Sequence, residues 1–304
     1  MELNRGIMTA LVSCYARGFH AARHSMPIFN DDIAFSILTK EEKEAIGQNW
    51  ANAIQFYSPE KNKTLSGQDQ KLEWVMNTQC IPQTVSRAKY TEDQLSLAIQ
   101  RGVKQYVILG AGFDTYVFRQ KDLPDDFIVF EIDHPSAQAY KLKRMKEMGL
   151  KKPAHVNYMA ADFTAGPLSE TLMKAGFNSD VPSFFSMLGV SMYLEKKVLL
   201  ALLSQISGVS CRGSSFVFDY LDVDAFNDEI ASDKLIKMRQ IAAAAGEPMV
   251  TGFDPLLLDS EVQNSSMLVY ENVSPEMIEE QYFQDGEGGL YAFPHFHFGH
   301  LAVR

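Results

Sequence analysis

Acidic side chains follow three successive apolar segments near the middle of this 304-residue chain. The first segment runs into "LGAGFD", in which Gly110, Gly112 and Asp114 form a G-x-G-x-D pattern. The second and third segments lead to Asp133, of "VFEID", and Asp162, of "MAADFT". A dinucleotide fingerprint requires a third glycine that this turn lacks, and Asp114 would repel a pyrophosphate although it accepts hydrogen bonds from an ammonium group. The turn therefore favours a nucleoside or amino-acid ligand, with a dinucleotide site and a purely structural turn as the alternatives.

The acids of the second and third segments suit an adenosine. Asp133 lies roughly 20 residues beyond the glycine turn, the spacing at which an acid at a strand end binds both ribose hydroxyls. The alternative is that Asp133 caps the helix expected to begin near Pro135. Asp162 is placed to accept a hydrogen bond from the exocyclic amine of adenine, and Phe163 to stack on the ring. Together with the turn, these residues predict a ligand that combines a nucleoside with an amino acid.

The elements that must position these acids are also visible in the sequence. Residues 105–222 alternate between short apolar runs and helix-like polar stretches, which predicts an α/β fold with a parallel sheet covered on both faces. In such a doubly wound sheet, ligands bind at the carboxyl ends of the strands, near the point where the strand order reverses. The predicted strands span 106–109, 127–132, 155–160, 183–188 and 215–220.

The segments on either side of the sheet predict a helical covering. Residues 1–100 carry apolar residues at three- and four-residue steps, which indicates a helical N-terminal cap. Within this cap, Thr91 with Gln94 resembles a capping box that starts its last helix. Residues 223–304 predict a helical lid insertion over the sheet, followed by final strands. Because no linker is evident, we expect a single domain, 1–304, with its ligand-binding core in residues 101–222.

Composition argues against several classes of function. The formal net charge of −10 disfavours a nucleic-acid partner, which requires a basic surface. No apolar run approaches the ~20 residues of a membrane span, and the N-terminus makes a poor signal peptide. The three cysteines are far apart, fit neither a zinc knuckle nor a disulfide framework, and therefore predict a cytoplasmic protein.

Four motifs in a fixed order resemble those of the leucine carboxyl methyltransferase family, and most closely its bacterial branch of O-methyltransferases. They are "QYVILGAGFDTYVFR", "VFEIDHPSAQAYKLKRM", "ADF" and "LGVSMYLEKKVLLALLSQI", within a resemblance that extends over residues 9–221. Each motif alone is weakly specific, whereas their combination in this order is specific. The resemblance implies S-adenosylmethionine as cofactor. It also implies a class I methyltransferase-like sheet, seven-stranded with the last strand antiparallel.

The resemblance assigns roles to individual residues. Arg87, in "TVSRAKY", matches a position that binds the methionine carboxylate, which suits a planar guanidinium; the alternative is a surface arginine on a helix. Arg17 or Arg23 would face the cofactor or an anionic substrate. The expected cofactor-binding residues are Arg87, Gly110, Gly112 and Asp114 around the methionine portion, Asp133 on the ribose, Asp162 and Phe163 around adenine, and Leu188 in the fourth-strand motif.

Two departures from the family argue against a protein substrate. Leu188 stands where the eukaryotic members that act on a phosphatase have an acid, and no extended docking region is evident. Tyr116 also replaces an arginine that is usual in bacterial relatives. We therefore expect a small-molecule acceptor from specialised metabolism. The alternatives are protein or peptide C-terminal carboxyl methylation and a non-catalytic cofactor-binding protein, and a homodimer stays open.

The chemistry of the acceptor decides which catalytic groups are needed. A carboxylate, the favoured acceptor, has a pKa of about 4 and is already ionised, whereas a hydroxyl needs a group that removes its proton. The candidate catalytic residues are Tyr193, which follows the fourth-strand motif, and His297 of "HFHFGH". The alternative interpretation of Tyr193 is a core tyrosine whose hydroxyl is hydrogen-bonded. His295, His297 and His300 are otherwise structural, and a metal site there would lack a partner acid.

Overall fold

A mostly parallel sheet forms the centre of the protein, whose computed structural model describes residues 5–284 and 286–304. Five strands separated by helices come first, as the alternation predicts, and the last three lie in the C-terminal third. The strands are β1 (Gln105–Leu109), β2 (Ile128–Asp133), β3 (Val156–Ala160), β4 (Ser183–Met187), β5 (Ser215–Asp222), β6 (Gly252–Phe253), β7 (Met267–Val273) and β8 (Phe296–Val303).

The strand order is β3-β2-β1-β4-β5-β8-β7, and the two-residue β6 pairs beside the end of β5. Strands β1 to β5 are mutually parallel, and β8 runs antiparallel to both β5 and β7. The expected doubly wound sheet with an antiparallel last strand is therefore confirmed, with β6 as an additional short strand. The order reverses between β1 and β4, so the carboxyl ends of these two strands open a crevice.

Helices cover both faces of the sheet. None of those in the described ranges combines the length and apolar character needed to cross a bilayer. The helices are α1 (Arg5–Arg23), α2 (Ala34–Ile37), α3 (Lys40–Asn52), α4 (Ile54–Tyr57), α5 (Pro59–Thr64), α6 (Gln68–Val75), α7 (Ile81–Gln100), α8 (Tyr116–Arg119), α9 (Pro135–Glu147), α10 (Leu168–Lys174), α11 (Lys196–Val209), α12 (Asp233–Ala244), α13 (Leu258–Val262) and α14 (Pro275–Tyr282), with a π-helix at Met76–Cys80.

One detail differs from the sequence predictions. Thr91 lies in the middle of α7 and is buried, so the predicted capping box does not start a helix. The apolar face of α7 simply continues through this position from Val85 to Leu95. After the lid insertion, where the sequence predicts final strands, residues 267–273 form β7. Pairing with β8 decides this, since it satisfies the backbone groups of the segment.

The core lies on both sides of β1, all of whose residues are buried. Tyr106 and Ile108 pack into the cluster formed with α1 and α7, whereas Val107 and Leu109 pack into the cluster formed with α10 and α11. This alternation is the two-residue period of a strand that is covered on both faces. At roughly 1.5–3 kcal/mol for each fully buried large apolar side chain, the two layers hold the carboxyl edge of the sheet rigidly in place.

A buried ion pair ties helix α9 to the sheet. Lys141 of α9 is 1% exposed at its side chain and donates to Glu131 of β2, which is 0% exposed. Lys141 Nζ also donates to the backbone oxygen of Asp114 at 2.8 Å. The same ammonium group therefore supports β2 and the glycine turn that follows β1.

We expect Lys141→Met to lower the free energy of unfolding by about 3–5 kcal/mol, because it leaves the Glu131 carboxylate buried without a partner. Urea unfolding measures this loss. Lys143→Met, on the same helix but exposed, is the matched control and should cost far less. Equal stability of Lys141→Met and the wild type would contradict the role given to this pair.

Candidate functional site

A cleft of about 300 Å³ opens at the carboxyl ends of β1 to β4 and is covered by α1 and α7. Sequence reasoning placed a ligand at this edge of the sheet, and the structure brings the predicted residues together there. Every residue predicted to bind the cofactor lines the cleft, as does one of the two candidate catalytic residues. These are Arg87, Gly110, Gly112, Asp114, Asp133, Asp162, Phe163, Leu188 and Tyr193.

Two residues of the glycine turn have positive φ angles, which residues other than glycine adopt only with strain. Gly110 has φ +72°, and a Cβ there would lie 2.4 Å from Val190 Cγ2. Gly112 has φ +49°, and a Cβ there would lie 3.2 Å from Ala10. Because the left-handed region suits glycine, both positions let the chain turn sharply and lie close against Val190 and Ala10.

Asp133, at the end of β2, is hydrogen-bonded to this turn. One carboxylate oxygen accepts from the Gly112 amide at 2.5 Å and the other from the His134 amide at 2.6 Å. Burial raises the pKa of Asp133, and these amide donors partly offset it. The cap of α9 is His134, whose ring nitrogen accepts from Ser136, so the alternative role of Asp133 as helix cap does not apply.

Asp162 and Phe163 form the end of the cleft nearest β3. Asp162 Oδ1 accepts from both the amide and the hydroxyl of Thr164, at 2.8 and 2.6 Å. These donors lower the pKa of Asp162, so the group is ionised at neutral pH. Asp162 is thus held in a local turn, and Phe163 packs partly against the apolar core beside it.

Asp114 lies two residues before the short helix α8 and accepts a hydrogen bond from its first amide. Its Oδ1 accepts from the Tyr116 amide at 2.7 Å. Tyr116 is buried edge-on against Tyr106 at 5.2 Å between ring centroids. Tyr116 therefore belongs to the core below the cleft and does not line it.

Arg87 reaches the cleft from α7 and is held by an acid that sequence reasoning missed. Its Nη1 donates to Asp219 Oδ2 at 2.9 Å, and Asp219 Oδ1 accepts from the Gly189 amide at 2.6 Å. Asp219 is 0% exposed, whereas the Arg87 side chain stays 13% exposed where it lines the cleft. The available signal was an acid inside the apolar run "SFVFDYLD" of β5.

Gly189 makes room for this guanidinium. It has φ +68°, and a Cβ there would lie 2.5 Å from Arg87 Nη2. The glycine of the "LGVSMYL" motif therefore serves Arg87 rather than the turn alone, a role that the sequence did not reveal.

The basic residues of α1 divide between the cleft and the surface. Arg17 Nε donates to the buried Asp31 at 2.7 Å, and its Nη2 donates to the Phe113 backbone oxygen at 2.6 Å. Arg23 instead pairs with the exposed Asp69 at 2.6 Å. Of the two arginines proposed to face a ligand, the structure brings only Arg17 to the cleft.

Tyr193 lies beyond the end of β4, on the 3-10 helix Ser191–Tyr193. Burial, with the nearby charge of Glu247 as the next cause, raises its pKa to about 12. The phenol therefore stays protonated at neutral pH and remains a hydrogen-bond donor at the cleft wall.

The structure does not bring His297 to the cleft. Its ring stacks on Tyr220 at 5.1 Å, and its Nε2 lies 3.4 Å from Asp222 Oδ2. His295, at φ +68°, lies 3.0 Å from the same carboxylate. Burial lowers the pKa of His300 to about 4. His295 and His297 thus share the Asp222 carboxylate, whereas His300 lies against Phe184 and Tyr270. Within the described residues no group of three metal-binding side chains occurs.

Comparison with known proteins gives a consistent result. The family model for leucine carboxyl methyltransferase matches residues 10–207. The chain is 35% identical to YktD of Bacillus subtilis, with 100% of both chains covered, and that relative is named as an S-adenosyl-L-methionine-dependent methyltransferase. A Mycobacterium marinum protein of the same description is 31% identical over 47% of each chain.

Solved structures share the fold at low sequence identity. A DUF574 family protein from Streptomyces avermitilis has a TM-score of 0.59 at 12% identity and covers 97% of both chains. A Thermobifida fusca protein described as a methyltransferase has a TM-score of 0.55 at 15% identity, over 97% of this chain and 94% of its own.

We expect Gly189→Ala to weaken S-adenosylmethionine binding by roughly tenfold or more, because the new methyl group displaces the Arg87 guanidinium, a charged hydrogen-bonding partner. Calorimetric titration measures the change. Gly208→Ala, in open space on α11, is the matched control and should leave affinity unchanged. Equal affinities for both variants would contradict the packing of Arg87 on Gly189.

Proposed function

This chain belongs to the leucine carboxyl methyltransferase family of S-adenosylmethionine-dependent methyltransferases, and we propose that it methylates an oxygen atom of a small molecule. The observation that carries the proposal is a single cleft that gathers the glycine turn, the strand-end acids and Arg87. Its volume of about 300 Å³ is that of a small-molecule site.

The nucleoside half of the cofactor fits the β2 and β3 side of the cleft. Asp133 is a carboxylate at the end of β2, where a ribose would lie, and it accepts only one amide hydrogen bond on each oxygen. A carboxylate oxygen can accept more than one donor, so the ribose hydroxyls can still bind. Asp162 and Phe163 would then hold the adenine, through a hydrogen bond and ring contact.

The amino-acid half fits the β1 and β4 side. Gly110 and Gly112, which line the cleft, would lie under the methionine portion. Arg87 would bind the carboxylate with the guanidinium edge that Asp219 does not occupy, and Leu188 would border it. Asp114, at the same end, would accept from the ammonium group.

The protein's part in the reaction is to align and shield the reacting groups. Bound S-adenosylmethionine supplies an electrophilic methyl group on a sulfonium. Holding an acceptor oxygen in line with it contributes on the order of 7–11 kcal/mol to the lowering of the barrier. Tyr193 would line the transfer site, where its aromatic face stabilises positive charge and its hydroxyl donates a hydrogen bond. His297 would have no part in this chemistry.

The cysteines and the position of the cleft support the proposals for the location of the protein and for its acceptor. The free thiols Cys14, Cys80 and Cys211 support the proposed cytoplasmic location. Two of them are buried, so they serve packing rather than metal binding. The acceptor itself is proposed to be a metabolite, because the cleft lies between α1, α7 and the sheet rather than on an open face.

We expect Asp133→Asn to weaken S-adenosylmethionine binding by roughly 10- to 100-fold, because hydrogen bonds to a charged acceptor are lost. Calorimetry on the full chain measures it. Asp180→Asn, an exposed carboxylate far from the cleft, is the control and should bind as the wild type does. A full-affinity Asp133→Asn would refute the assignment of Asp133 to the ribose.

Methyl transfer is tested separately with methyl-labelled S-adenosylmethionine and a protein-free metabolite extract. We expect label to appear in small organic products in the presence of the enzyme and not in the presence of Asp133→Asn. Cofactor binding without any transfer across broad extracts would favour a non-catalytic protein instead.

A further inference from the structure

Glu247 is a carboxylate that lines the cleft and lies outside the sequence motifs. It follows α12, which ends in a turn at Gly246, with φ +82°. The Gly246 amide donates to the Ala243 oxygen and the Glu247 amide to the Ala242 oxygen, both at 2.9 Å. This hydrogen-bonded helix end fixes the direction in which Glu247 leaves the helix.

The residues after Glu247 bind to the 3-10 helix that carries Tyr193. We call residues 247–251 the strap. The Val250 amide donates to the Met192 oxygen at 2.8 Å, and the Thr251 hydroxyl donates to the Leu194 oxygen. The strap therefore holds Glu247 and Tyr193 on the same wall, beyond the strands that would bind the cofactor.

Among the side chains that the structure describes, none gives Glu247 a cationic partner. The Thr9 hydroxyl of α1 donates to its carboxylate, and none of the described side chains forms an ion pair with it. Of the three arginines that line the cleft, Arg87 is assigned to the carboxylate of the cofactor, and all three are paired with an acid of the protein. These pairs are Arg17 with Asp31, Arg87 with Asp219 and Arg119 with Glu92.

This arrangement is unsuited to a carboxylate acceptor. Such an acceptor needs a cationic clamp, and next to Glu247 it would instead meet a like charge in a partly enclosed site, which is repulsive. A hydroxyl has the opposite requirement, because it must lose a proton as its oxygen attacks. A carboxylate without a cationic partner is well suited to accept that proton.

Building on the proposed function, we infer that Glu247 is a catalytic residue and that the methyl acceptor is a neutral hydroxyl rather than a carboxylate. The hydroxyl oxygen forms a bond to the methyl carbon, and its proton passes to the Glu247 carboxylate. The bond from methyl to sulfur breaks, and its electron pair stays on sulfur. The product is a methyl ether, and Glu247 afterwards releases its proton to solvent. Tyr193 donates a hydrogen bond from the same wall and orients the acceptor.

Two measurements on the full chain test this inference. The first treats the labelled products from the metabolite extract with mild base, which hydrolyses methyl esters and leaves methyl ethers intact. The second compares wild type, Glu247→Gln and, as a matched control, the exposed Glu280→Gln. Glu247→Gln has the same shape as the wild type, and calorimetry with S-adenosylmethionine shows whether its cofactor site is intact.

We expect base-stable products and a loss of turnover of about 100-fold or more in Glu247→Gln, the usual contribution of a general base. Its cofactor affinity should be unchanged, and Glu280→Gln should be fully active. The residual turnover of Glu247→Gln should rise with pH, because an acceptor already ionised in solution no longer needs the carboxylate.

Base-labile products, or full activity in Glu247→Gln, would overturn the inference while leaving methyl transfer itself established. Failure of the wild type to bind S-adenosylmethionine, or binding with no transfer to any acceptor, would overturn the proposed function and the inference with it.

Discussion

The buried ion pair between Arg87 and Asp219 is the contact on which the cleft depends. The pair joins α7 to the centre of β5. It therefore fixes the position of α7, which covers the cleft, relative to the edge of the sheet at which the cleft opens. A charge this deeply buried is tolerated only with its partner in place. Gly189 follows from the same constraint, because any side chain there would occupy the space of the guanidinium.

The charges that the cleft presents to a ligand are mainly negative. The cations that line it are neutralised by acids of the protein, so what the cleft offers a ligand is mainly hydrogen-bond acceptors: Asp114, Asp133, Asp162 and Glu247. An S-adenosylmethionine molecule carries an ammonium, a sulfonium, two ribose hydroxyls and an exocyclic amine, all of which suit acceptors or negative charge. Only its carboxylate needs a cation, and Arg87 is the residue proposed for it.

The acids at the strand ends could be predicted from the sequence for a physical reason. In a parallel sheet the carboxyl ends of neighbouring strands must meet at one edge, so acids such as Asp133 and Asp162 converge wherever the alternation of strands and helices is recognised. The open backbone at Gly110 and Gly112 is likewise a local property. His297 shows the limit of such reasoning, since a His-x-His pattern does not reveal whether its strand faces a cleft or a neighbouring ring.

What the sequence by itself determined is thus the sheet and its ligand-binding edge, because these depend on local periodicity and on residues adjacent in the chain. The cofactor was implied by the resemblance of its motifs to a known family. Only the tertiary structure decided the partners of Arg87 and the place of Glu247. Asp219 and Glu247 come from segments far along the chain from the residues they serve, and their neighbours are set by how α7, β5 and the strap pack. Contacts of this kind arise from packing between distant segments, which periodicity along the chain does not encode.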